Sequence, residues 1–158
     1  MKISELIDEL KETETYRKFK EENPSTFFSA GFLVLDLESK SEKIQLDFFL
    51  SKQNKMASFE YPFEKPKIYE DEIKEMLPQT TMIKVDIDDL EKLSKEIIIK
   101  NNSKMIPTRI IAILQKNIWN LTCMDNFLGS IRIKLDAITG EQISFSQGNL
   151  IGMMQPKK

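Results

Sequence analysis

The sequence predicts an α+β protein built on antiparallel sheet, and three observations carry that reading. Period-2 apolar stripes recur along the chain, two helical stripes stand apart from them, and short polar turns join consecutive strands. Strand runs interleaved with single helices suit meanders packed on helices, not a parallel doubly wound sheet.

The opening segment reads as a helix, because Ile3, Leu6, Ile7 and Leu10 recur at helical spacing. Ser4 is placed as its N-cap, Glu5, Asp8 and Glu9 suit the positive end of the helix dipole, and Asn23-Pro24 ends it. Thr26 to Leu37 carries apolar residues at both parities (Phe28, Phe32, Val34; Leu33, Leu35, Leu37), which predicts a strand buried on both faces. Ile44, Leu46, Phe48 and Leu50 alternate with Gln45, Asp47, Phe49 and Ser51. Ala57, Phe59, Tyr61 and Phe63 alternate again, which completes a three-strand meander. Between Pro62, Pro66 and Pro78, the residues Ile68, Ile73, Met76 and Leu77 suggest a short helix.

The second half repeats the plan. A short strand is expected at 83–87. Asp88 reads as an N-cap with Glu91 three residues on, and Leu90, Leu93 and Ile97 form a helix stripe that Asn101-Asn102 stops. Strands follow at Arg109–Lys116, Trp119–Met124, Ser130–Asp136 and Gln142–Ser146. The third has the cleanest alternation, and Gly140 supplies the tight turn after it. The expected organisation is two lobes, 1–79 with the order α-β-β-β and 80–158 with β-α-β-β-β-β and an apolar tail, or one compact domain holding both.

Charge and composition narrow the function. The 158 residues carry 23 Lys/Arg and 25 Asp/Glu, a net charge of −2, which argues against a dedicated nucleic-acid binder. The first 79 residues hold 12 basic and 17 acidic side chains, and the remainder hold 11 and 8, so the halves sit at −5 and +3. No histidine is present, which removes the Ser-His-Asp arrangement and most zinc sites. Five glycines form no phosphate cradle. The one cysteine, Cys123, cannot close an intramolecular disulfide and shares strand parity with Trp119 and Leu121, so it is expected in a core. Asp86, Asp88 and Asp89 lack the alternating ligands and mid-loop glycine of a calcium loop, and strand-end and cap roles account for them. No catalytic residue, cofactor site or metal site is therefore expected. With no leader-like start and no run of apolar residues long enough to cross a bilayer, a cytoplasmic location is expected, or an extracytoplasmic one if an N-terminal anchor has been removed.

One stretch carries a family resemblance. Asn117 to Asn126, followed by Gly129-Ser-Ile-Arg-Ile-Lys-Leu-Asp136-Ala-Ile-Thr-Gly-Glu141, resembles the end of a PepSY domain. Trp119 stands where that family places an aromatic, and Asp136, Ala137, Thr139, Gly140 and Glu141 match its turn; the likeness spans about residues 83–146. Only the plan recurs in the first half, where Asp36-Leu37-Glu38-Ser39 lacks the glycine. The resemblance implies two PepSY-like or cystatin-like lobes and a non-catalytic role such as modulating a protease or an envelope process.

The expected function is thus a non-enzymatic protein-binding or regulatory module that works through a sheet face or a strand edge. The alternatives are a structural homo-oligomer and a small-ligand binder in the concavity between helix and sheet. Two features are candidates for partner contact. Phe49 points opposite to Ile44, Leu46, Phe48 and Leu50, so either a partner or a second layer covers it, and Leu150, Ile151, Met153 and Met154 form an apolar tail.

Overall fold

The computed structural model describes residues 1–149. In chain order it contains α1 (Ile3–Lys11), α2 (Glu14–Glu22), β1 (Thr26–Asp36), β2 (Ser41–Leu50), β3 (Lys55–Glu60) and β4 (Lys67–Ile68). A 3₁₀ turn, Ile87–Asp89, then leads into α3 (Leu90–Lys100), followed by β5 (Arg109–Gln115), β6 (Ile118–Met124), β7 (Gly129–Asp136) and β8 (Gln142–Asn149). The fold is α+β, and its strands form one antiparallel eight-stranded sheet in the order β4-β3-β2-β1-β5-β6-β7-β8. The two meanders join where β1 pairs with β5, from Ala30 opposite Gln115 to Asp36 opposite Arg109.

Paired residues share a face, so the register sorts the side chains. Leu33, Ile44, Ala112, Leu121 and Ile133 lie in one row across five strands and are all buried. The helices cover this face. On α1, Ile3, Leu6, Ile7 and Leu10 are buried, and a Cβ added at Gly31 of β1 would stand 3.6 Å from Ile3 Cδ1. Tyr16 and Phe19 of α2 meet Phe48 and Phe59 of β2 and β3, with Phe19 and Phe59 edge to face at 5.1 Å. Leu90, Ser94, Ile97 and Ile98 of α3 are buried in the same contiguous core. Trp119, fully buried on β6, donates its indole N–H to the Val85 carbonyl at 2.8 Å, tying the α3 approach to the sheet.

The double-sided apolar pattern of β1 has a specific cause. The β1–β2 register slips at Ser29, between Phe28 and Ala30, and the extra residue reverses parity. Phe28 before the bulge and Leu33 and Leu35 after it therefore face the same core, while Phe32 and Val34 face the other way. The expectation of a strand buried on both faces is corrected: beyond the bulge, Phe32 and Val34 are only half-buried.

Five other expectations change. The opening helix is two helices, because Thr13 at the break accepts from the Tyr16 amide through its hydroxyl and caps α2. Ser4 does not cap α1; the Asp86 carboxylate does, accepting the Ile3 amide at 2.8 Å from across the core. Asp86 also accepts the Ile87 amide, and Asp89 accepts the Asp86 amide, so the reciprocal cap falls two residues before the predicted Asp88–Glu91 pair. Residues 83–87 form no strand, since the Lys84 and Val85 amides both bond to one carbonyl, that of Ala137.

The short helix expected at 68–77 is absent. From Tyr69 the chain is an irregular strap, pinned where the Tyr69 amide meets the Met56 carbonyl, Ile73 meets Asn54 and Gln79 meets Phe28. The buried Gln79 side chain then exchanges two bonds with Asn117, at 2.8 and 2.9 Å.

Candidate functional site on the open face of the sheet

The sheet face away from the helices has two parts. The strap follows the sheet end where β1, β3 and β6 begin, and there Phe49, Ser29 and Ala30 are buried. Phe49 is 1% exposed, with the Phe27 ring at 5.6 Å and Met56 opposite it on β3. As a partner contact Phe49 is therefore corrected: its ring is interior, beside Phe27 and Met56. Leu150, Ile151, Met153 and Met154 lie outside the described residues.

Among the described residues, no second layer of helix or strand covers the rest of this face. Phe32 and Val34 of β1 pair with Ile113 and Ile111 of β5, which makes a square of four half-buried apolar side chains on the two central strands. The neighbouring positions are polar: Lys43 and Gln45 on β2, Thr122 and Asn120 on β6, and Arg132 and Lys134 on β7. Lys43, Arg132 and Lys134 are exposed. An apolar centre with a polar, partly cationic rim is the composition of a contact surface. Ile111 and Ile113 alternate with the core residues Ile110, Ala112 and Leu114, and this doubled apolarity was the signal in the sequence that could have marked the patch.

At the β2–β3 side the face becomes polar and partly buried. Asp47 Oδ1 accepts the Ser58 hydroxyl at 2.6 Å and the Gln45 amide at 2.9 Å, and Gln45 also reaches Ser58 Oγ at 3.2 Å. Burial pushes the Asp47 carboxyl above its ordinary value, and the two donors offset part of that rise. Beside it opens a 340 Å³ cleft lined by Gln45, Ser58, Glu60, Glu64, Lys67 and Tyr69 among others, with the Lys67 ammonium 5.1 Å from the Tyr69 ring centre. Acidic and basic groups mix there, and the Ser58 hydroxyl that lines the cleft is engaged by the Asp47 carboxylate.

Other candidate residues serve structure. Cys123 is fully buried, and desolvation pushes its thiol up to about 11, an effect the Ser94 hydroxyl on α3 reduces. Asp136 Oδ1 accepts the Ile138 and Thr139 amides, and Gly140 sits at φ +83. Asp36 builds the same turn with the Glu38 and Ser39 amides, and Lys40 takes the glycine's left-handed place at φ +56. Both carboxyls are held below their ordinary value, chiefly by these backbone donors. No group of three or more metal-ligating side chains occurs among the described residues, and no described helix is long and apolar enough to cross a membrane.

No protein-family model matches the sequence, and no curated protein matches it. Among solved structures, the chain is similar to a "putative lipoprotein" from Clostridium difficile 630, with a TM-score of 0.52 at 13% sequence identity. The match covers 85% of this chain and 91% of that one, and at this identity it shows a common α+β fold.

Proposed function

We propose that the chain is a non-enzymatic protein-binding or regulatory module that receives its partner on the open sheet face. The observation that carries this reading is the square of Phe32, Val34, Ile111 and Ile113, apolar and half-buried at the centre of a face otherwise lined by polar residues. Apolar side chains at such a spot add nothing to solubility, and burying them under a partner is favourable by about 25 cal/mol per Å². Four aspartates meanwhile serve caps and turns: Asp86 and Asp89 before α3, Asp36 and Asp136 at the ends of β1 and β7. A ligand between helices and sheet has less support, since that space is filled by the contiguous core.

The PepSY-like reading of residues 83–146 rests on element order and on the Asp136 turn, and it suggests a partner such as a protease or envelope protein. A cytoplasmic location agrees with a lone buried thiol; fractionation of cells expressing the untagged chain tests it, and recovery with the envelope would refute it. The binding reading is tested by parallel pulldowns with wild type and an Ile111→Lys/Ile113→Lys variant of matched melting temperature. One protein recovered by wild type and lost by the variant supports the open face. Equal recovery by both removes it.

A further inference from the structure

One of the sheet's two outer strands is protected and the other is not. β4 is two residues long, follows Pro66 and carries Lys67, which are the usual devices against strand addition. β8 runs for eight residues, Gln142–Asn149, without a charge or a proline. Its outer side pairs with no strand among the described residues. Ser144 and Ser146 are exposed on it, and a Cβ added at Gly148 would meet nothing within 4 Å, so its approach is unobstructed. Exposed apolar side chains lie on the strand and in the turns at the two ends of the adjoining β7. Ile143 on the strand is 51% exposed, Phe127 and Leu128 in the β6–β7 turn 88% and 47%, and Ile138 in the β7–β8 turn 41%.

We propose that β8 pairs antiparallel with β8 of a second copy, continuing the sheet across a two-fold axis. An antiparallel strand pair about a two-fold axis is self-complementary, and a neutral strand meets its own image without repulsion. Arg132 and Lys134 on the adjoining β7 stand three strand spacings from their symmetry mates, about 14 Å, beyond the ~8 Å screening length of physiological salt. The eight-residue seam is about 27 Å long and buries on the order of 500 Å² in total, below the ~1,200 Å² of a stable interface. Ile143, Phe127, Leu128 and Ile138 supply the remaining area at the rim, so the dimer is weak and concentration-dependent.

Sedimentation velocity on the full chain from about 1 to 200 µM tests this. The expected mass rises from 18.4 kDa toward twice that value. Ser144→Lys/Ser146→Lys, which crowds four ammonium groups into the seam, is expected to stay monomeric with an unchanged melting temperature, while Ile113→Lys on the open face still dimerises. A wild type that is monomeric throughout, a dimer that survives the two lysines, or a dimer lost only with Ile113→Lys would each overturn the proposal. Should the double variant fold poorly, amide exchange on wild type decides: protection of 143–148 that grows with protein concentration supports the seam, and protection independent of concentration refutes it.

Discussion

Replacing Trp119 with Phe removes one buried hydrogen bond and part of one ring from the centre of the second meander. The indole is fully buried and its N–H donates to Val85, itself 3% exposed, at 2.8 Å. With phenylalanine the Val85 carbonyl keeps no donor from that side and no route to water, a cost of about 1–3 kcal/mol. The smaller ring leaves a void of about 40 Å³, and at roughly 24 cal/mol per Å³ this adds about 1 kcal/mol. The expected loss is about 2–4 kcal/mol, large beside a total stability of roughly 5–15 kcal/mol. Urea unfolding followed by far-ultraviolet circular dichroism measures it, because the variant has lost the chain's one tryptophan as a fluorescence probe. With an m-value of roughly 2 kcal/mol/M, the midpoint should fall by about 1–2 M. A shift under about 0.3 M at unchanged slope would refute the reasoning, since the carbonyl would then have found another partner and the core would have closed over the void.

Asp47→Asn keeps the Oδ1 acceptor for Ser58 and Gln45 and removes the buried charge. The folded carboxyl lies above its ordinary value of 3.8, so its contribution is fully present below that value and is lost as pH rises through the folded one. The variant should therefore melt higher than wild type at neutral pH, with the gap closing on acidification, and a lower melting point at pH 7 contradicts this. Ser58→Ala, by contrast, strips a donor from the carboxylate and should cost about 1.5–3 kcal/mol at neutral pH in chemical denaturation. Lys40→Gly relieves a left-handed backbone and should change stability by at most about 1 kcal/mol in the stabilising direction, whereas Gly140→Ala should cost a similar amount; a clear loss with Lys40→Gly, or no loss with Gly140→Ala, in paired melts would show that the two turns are not equivalent. The Cys123 thiol, pushed up to about 11 and enclosed, should react with a thiol reagent only at the rate of unfolding, and prompt labelling of native protein would disprove the burial.

How much of this was legible depends on whether a signal was local. Alternation placed β5, β6 and β7 within a residue and β2, β3 and β8 within three residues, because a half-buried strand writes its period directly into the sequence. The α3 stripe was legible for the same reason. The cap of α1 was not: its acceptor, Asp86, is 83 residues from Ile3, and only the packing of α1 beside the α3 approach brings them together. Nor was the bulge, since Ser29 looks like any strand residue, yet it decides that Phe28 and Leu33 share a face. The candidate site was half legible. Phe49 stood out as an apolar residue on a polar parity, but parity alone cannot say what lies above it. The uncovered residues, Phe32, Val34, Ile111 and Ile113, were hidden among core neighbours in doubly apolar strands.

The strap unites these failures. After β4 the chain is at the far edge of the sheet and must reach the start of α3, while its next strand, β5, lies four positions away, about 19 Å in strand spacings. Helices already occupy one face, so the crossing runs along the other, at the sheet end where β1, β3 and β6 begin. A helix rises only about 1.5 Å per residue against more than 3 Å for extended chain, so a connection that must cover distance at the surface favours extension over the helical spacing of Ile68, Ile73, Met76 and Leu77. Those apolar residues then act as intermittent anchors: Ile73 and Met76 are half-buried and the Met76 sulfur lies 3.6 Å from the Gln115 amide, while Leu77 remains 59% exposed. Because the strap follows one end of the sheet, it leaves the middle of the same face without cover among the described residues. The apolar square on β1 and β5 is thus a consequence of the route the chain takes, and a partner seated there would complete the layer that the strap begins.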